Sequence, residues 1–194
     1  MVTKKQEIMS NSHVLQTPPD VNRAPPKVAV LVYDGLCTFE YGIVTEVLGL
    51  YRPEVGGYLY TVNSVSLEGK RLRAAGGLTV TADGSEADLA SADIIVIPGW
   101  RGTDAPVPKK LQEHIRAAHQ RGVKLVSICS GIYVLAAAGV LNNRKATTHW
   151  RYLDDFKSKF PQVALLPNNL YVDQGNIITS AGSSAGLDVC LHLV

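Results

Sequence analysis

Three short apolar runs constrain the fold of this chain most: Lys27–Tyr33 (KVAVLVY), Asp93–Ile97 (DIIVI) and Val123–Ile128 (VKLVSI). Each is strand-length and rich in β-branched residues, the pattern of a strand covered on both faces. Between them, apolar residues recur at helical spacing. Ile43, Val44, Val47, Leu48 and Tyr51 supply one face of a helix predicted from Thr38, read as its N-cap, to about Arg52 before Pro53. Leu111, Ile115 and Ala118 do the same for a helix beginning near Pro108 and ending before Gly122. Buried strands alternating with amphipathic helices predict βαβ units, hence an α/β fold with a mostly parallel sheet and helices on both faces.

The remaining segments follow suit. Tyr58–Ser66 alternates like a strand, and Lys70–Ala74 with Leu78–Thr81 predicts a hairpin around Gly76-Gly77. A helix is expected after Cys129, through about Ala138 to Gly139. Next come a short strand at Ala146–Thr148, a helix from Trp150 to about Lys159, and strands near Leu170–Asp173 and Asn176–Ser180. In the last segment Leu187, Cys190, Leu191 and Val194 recur at helical spacing. No glycine, basic residue or polar turn closes that helix, so the chain is expected to be the front part of a longer protein. Residues 1–26, with Pro18-Pro19 and Pro25-Pro26, read as a disordered tail, and residues 27–194 as one domain.

Several function classes are disfavoured. The formal net charge is +2, and Lys and Arg are scattered, which leaves no stripe suited to duplex DNA. Cys37, Cys129 and Cys190 are far apart, with no CxxC and no Cys/His ligand spacing. Neither a disulfide framework nor a zinc site is suggested, no metal or cofactor is expected, and a reducing, cytoplasmic setting is the simplest inference. Lys4 and Lys5 precede polar residues, unlike a secretory signal, and no apolar stretch reaches membrane-spanning length.

The chemistry-bearing residues cluster where such a sheet keeps its sites, at the carboxyl ends of the strands. The predicted strand ends lead to Glu40, to Gly99-Trp100, to Cys129 and to His149. Ser127-Ile-Cys129-Ser-Gly131 has the form of a nucleophile elbow, with small flanking residues that permit a sharp turn. At a helix N-terminus Cys129 would gain from the dipole and free amides. The Ser130 amide, with one from Gly99 or Trp100, is a candidate oxyanion hole. Each residue also has a plainer reading. Cys129 can be a small buried hydrophobe, Glu40 a solvated carboxylate in a first turn, and His149 a loop histidine beside Trp150 rather than the base of a Cys/His pair.

Taken together, Asp34-Gly-Leu-Cys-Thr-Phe-Glu40, Ile97-Pro-Gly99, Ser127-Ile-Cys129-Ser-Gly131 and Ala146-Thr-Thr-His149 resemble the DJ-1/PfpI superfamily, of the class I glutamine amidotransferase-like type. The resemblance implies a flavodoxin-like three-layer α/β/α sandwich, usually dimeric, with the family's carboxylate at Glu40 and its reactive cysteine at Cys129. Tyr33-Asp-Gly-Leu, Phe39-Glu40-Tyr, Pro98-Gly-Trp100, Thr147-Thr-His-Trp-Arg151 and Ser180-Ala-Gly-Ser-Ser-Ala-Gly-Leu-Asp188 are more like the N-terminal domain of AraC-type transcriptional regulators. That likeness implies a homodimeric sensor of an unknown small molecule, with DNA read by a C-terminal helix-turn-helix domain outside this chain. The peptidase branch has histidine directly after its nucleophile, where this chain has Ser130, which argues against proteolysis. The isocyanide hydratase branch has aspartate where Glu40 stands. Regulation therefore ranks first, and a Cys129-dependent hydratase, glyoxalase-like or amidase-like enzyme second. Redox sensing through Cys129 ranks third.

Overall fold

The computed structural model describes residues 24–194, and all of the predicted tail before residue 24 lies outside the described residues. The strands of the central sheet are β1 (Lys27–Leu31), β2 (Thr61–Val65), β3 (Ile94–Pro98), β4 (Lys124–Ile128), β5 (Tyr171–Asp173) and β6 (Ile177–Ser180). They lie in the order β5-β6-β4-β3-β1-β2. Every pairing is parallel except β5 with β6. The α/β sandwich with a mostly parallel sheet is thus realised.

Strand periodicity explains the layers. Val28 and Val30, Ile94 and Val96, Val126 and Ile128 face one way, into a core with Val44 and Leu48 of α1 (Thr38–Gly49) and Val189 and Cys190 of α6 (Ala185–Leu193). Ala29 and Leu31, Ile95 and Ile97, and Leu125 face the other way. There they meet Leu89 of α2 (Glu86–Ser91), Leu111, Ile115 and Ala118 of α3 (Lys109–Gln120), and Val134 and Leu135 of α4 (Ile132–Ala137). Phe156 of α5 (Leu153–Lys159) completes that side.

Local details depart from the sequence reading. Cys37, not Thr38, caps α1, and no side chain bonds the cap. The strand expected at Ala146–Thr148 is Lys145–Ala146, paired outside the main sheet with Ala164–Leu165. Thr147 and Thr148 leave it because their polar groups are held elsewhere: the Thr179 hydroxyl accepts from the Thr147 amide, and the Thr148 hydroxyl donates to the Cys129 carbonyl. The hairpin is present as Arg71–Arg73 with Thr79–Thr81. Helix α2 was not expected, although Ser85-Glu-Ala-Asp88 forms a capping box at its start.

Candidate functional site

Strand β4 delivers Cys129 into a single 3-10 turn, Cys129–Gly131, which leads directly into α4. Cys129 has φ 55°, a left-handed conformation that costs a non-glycine residue about 1–2 kcal/mol. Its neighbours hold it there. The Cys129 amide donates to the Ala181 carbonyl (3.0 Å), and its own carbonyl accepts from the Thr148 hydroxyl (2.8 Å). Gly131 must be glycine because a Cβ there would stand 2.4 Å from the Ile97 carbonyl oxygen. The elbow is therefore wedged between β3 and the β6–α6 loop.

Glu40 sits in the first turn of α1, only 6% exposed. Its Oε1 accepts from the Ser183 hydroxyl at 2.6 Å. Ser183 also lies against the Cys129 sulfur, as does the Ser130 amide, and both favour thiolate. They are outweighed. Burial first, and the Glu40 charge second, push the Cys129 thiol up to about 11. Cys37 belongs to the same cluster. Burial and then Glu40 raise its thiol, while a hydrogen bond with Tyr33 offsets part of the rise. Tyr152 completes the group; burial first, then Cys129, raise its phenol.

The residues predicted to supply oxyanion donors come together, but the Gly99 and Trp100 amides are engaged. The Gly99 amide donates to the Ile97 and Ile128 carbonyls, both at 3.1 Å. The Trp100 amide donates to the Ser130 hydroxyl (2.9 Å), and that hydroxyl donates back to the Trp100 carbonyl (3.1 Å). Ser130 thus clamps the end of β3 to the elbow. Trp100 is buried, its indole N–H donates to the Ala105 carbonyl, and its ring lies 4.9 Å from that of Tyr33. These two rings also line a cavity of about 70 Å³, which is not at the sulfur.

His149 is near but not joined to the cluster. Its Nδ1 accepts from the Arg151 amide (3.1 Å), and its ring packs beside Trp150 and Tyr152. Gly182 lies beneath the ring, where a Cβ would come within 2.7 Å of Cδ2. Among the described residues no hydrogen bond links His149 to Cys129. Sequence reasoning missed Ser183 and Tyr152. The small-residue run from Ser180 to Gly186, a third strand-to-helix junction at the same sheet edge, was the available signal for Ser183.

Among the described residues no group of three or more His, Cys, Asp or Glu is placed to hold a metal ion. No described helix is long and apolar enough to cross a membrane.

The HTH-type transcriptional regulator GbdR of Pseudomonas aeruginosa is 28% identical over 176 residues, which are 91% of this chain and 48% of GbdR. CdhR, another HTH-type transcriptional regulator of that organism, is 35% identical over 137 residues, 70% of this chain and 40% of its own length. The chain thus spans about half the length of the curated relatives it matches. Its fold is similar to that of a crystallised AraC family transcriptional regulator from Pseudomonas putida, with a TM-score of 0.75 and 21% identity, covering 88% of this chain and 91% of that one. The model of the DJ-1/PfpI family matches residues 26–194, and the chain belongs to that family.

Proposed function

We propose that residues 27–194 form the ligand-sensing and dimerising half of an AraC-type transcriptional regulator. In this reading a small molecule binds in the cleft around Cys129, and DNA is read by a helix-turn-helix domain outside residues 1–194. The observation that carries the proposal is that regulators of twice this length match it over nine-tenths of the chain. The chemistry of the site supports binding over turnover. At neutral pH Cys129 is a thiol, with its pKa pushed up to about 11, and thiols are poor nucleophiles. The Gly99 and Trp100 amides are engaged, and acyl transfer needs such donors free and aimed.

The site also has an outlet. Ser183, bonded to Glu40, stands two residues before α6, and α6 packs on α1, which carries Glu40. A ligand that displaces the Ser183 hydroxyl from Glu40 would move the start of α6. The test is direct. The native reading frame should continue beyond codon 194 into a helix-turn-helix region, and a stop shortly after that codon overturns the proposal.

One observation favours the second reading, a Cys129-dependent enzyme: the positive φ that raises the thiol on its elbow. Turnover of small electrophiles by the wild type, compared with Cys129→Ser, decides it. Equal rates eliminate the enzyme.

A further inference from the structure

The opposite pole of the sheet carries a cleft unrelated to the cysteine. It lies where α3 and α4 end, and has a volume of about 280 Å³, at the small end of the range for ligand sites. Its polar lining is Arg116, His119, Gln120, Asn142 and Arg144, with no carboxylate. Among the described residues neither arginine takes part in an ion pair.

The bland explanation is that these arginines serve the helix ends. It falls short on the hydrogen bonds, because most of the last-turn carbonyls already have backbone donors. The Ala117 carbonyl accepts from the Arg121 amide, that of Ala118 from Arg121 and Val123, and that of His119 from Gly122. At the end of α4 those of Val134, Leu135 and Ala136 accept from Ala138, Val140 and Gly139. The two helix ends contribute about half a negative charge each, which the two guanidinium groups exceed about twofold.

The other donors point the same way. The one side-chain partner of Arg144 among the described residues is His119 Nε2 at 3.5 Å, which leaves most of its N–H groups free. The Asn142 Oδ1 accepts from Gln162, and its Nδ2 is turned toward Gly139. What remains is a cleft with surplus positive charge and no anionic group among its lining side chains.

We propose that this cleft binds a small oxyanion, the phosphate or carboxylate group of a metabolite, as an effector site distinct from the Cys129 cluster. Arginine forks suit either group.

The test is a two-dimensional NMR titration of the protein with inorganic phosphate and with citrate, at constant ionic strength set by chloride. Saturable shifts confined to residues 116–120 and 138–144 are expected with at least one of them. Arg116→Gln and Arg144→Gln should each weaken that binding about tenfold or more. Lys70→Gln, a charge removed elsewhere, should leave it unchanged. Arg116 is exposed on α3, so its variant keeps the test valid if Arg144→Gln fails to fold. Shifts that chloride reproduces, or that survive both arginine variants, overturn the proposal. So does tighter binding of duplex DNA through the same arginines, which would make the cleft a nucleic-acid contact.

Discussion

Cys129 and Cys190 are both buried thiols raised well above the usual 9.0, to about 11 and about 12, yet their surroundings differ in kind. Cys190 faces the sheet from α6 among Val28, Val126 and Ile178, and burial is the sole cause of its shift. Cys129 occupies a left-handed turn beside Glu40, Ser183 and the Ser130 amide. Burial by itself makes a thiol inert. At Cys129, by contrast, the backbone holds the sulfur among polar groups, which the proposed sensing role would have a ligand rearrange. Four consequences distinguish the two positions.

The largest effect is expected from the glycines that back each cysteine. In Gly131→Ala the new methyl meets the Ile97 backbone oxygen at 2.4 Å, and the strand that carries Ile97 cannot yield without disturbing the sheet. Destabilisation of about 3 kcal/mol or more is expected in urea unfolding. Gly186→Ala, four residues before Cys190, meets only the Ile128 side chain, at 3.0 Å. Its gain in helix propensity, about 1 kcal/mol, offsets much of that crowding. A Gly131→Ala cost no greater than that of Gly186→Ala would mean that the elbow is not wedged.

The next effect is on alkaline stability. Both thiols titrate higher in the folded chain than in the unfolded one, so the unfolded state loses its proton first. The stability each contributes is whole below about pH 9 and is lost as pH rises through about 11 for Cys129 and about 12 for Cys190. At 1.36 kcal/mol per unit the losses are on the order of 3 and 4 kcal/mol. Cys190→Ala should therefore flatten the fall in stability above pH 9 more than Cys129→Ala. The two variants share a slope between about pH 9 and 11, and equal slopes above about 11 as well would remove the distinction.

Serine substitution separates polar from apolar surroundings. Cys190→Ser places a hydroxyl in an apolar core at a cost of about 2 kcal/mol, whereas at Cys129 the Ser130 amide and Ser183 offer partners and hold the cost to about 1 kcal/mol or less. Thermal or urea unfolding of the two variants makes the comparison.

The parts of this contrast visible in the sequence were those set by near neighbours. Runs such as Ile94–Ile97 announce themselves because a strand covered on both faces must be apolar throughout. The elbow was legible because a strand, small residues and a glycine are contiguous there. Ser183 was not, because its bond to Glu40 spans 143 positions, and no local pattern encodes which strand ends meet. The role of the Gly99 and Trp100 amides was hidden for a related reason. Donors predicted to be free become engaged only once β3 and β4 lie side by side, when the Gly99 amide meets the Ile128 carbonyl and the Ser130 hydroxyl reaches Trp100. Sequence locates groups near a site; packing decides which of them remain available.

The smallest effect probes that availability at the sulfur itself. Glu40 is the second cause of the raised Cys129 pKa after burial, and it acts by its charge. Glu40→Gln keeps the shape and the acceptor for the Ser183 hydroxyl but removes the charge. The thiolate is then opposed by burial and the smaller influence of Cys37, and the Cys129 pKa should fall from about 11 by on the order of one unit. Iodoacetamide alkylation followed by mass spectrometry across roughly pH 8 to 11, the range below the wild-type midpoint, reads this as a profile displaced to lower pH. Cys190, whose shift has burial as its sole cause, should keep its profile in the same variant. Displacement of both profiles together would indicate general loosening of the fold, and displacement of neither would show that Glu40 does not govern the charge of this thiol.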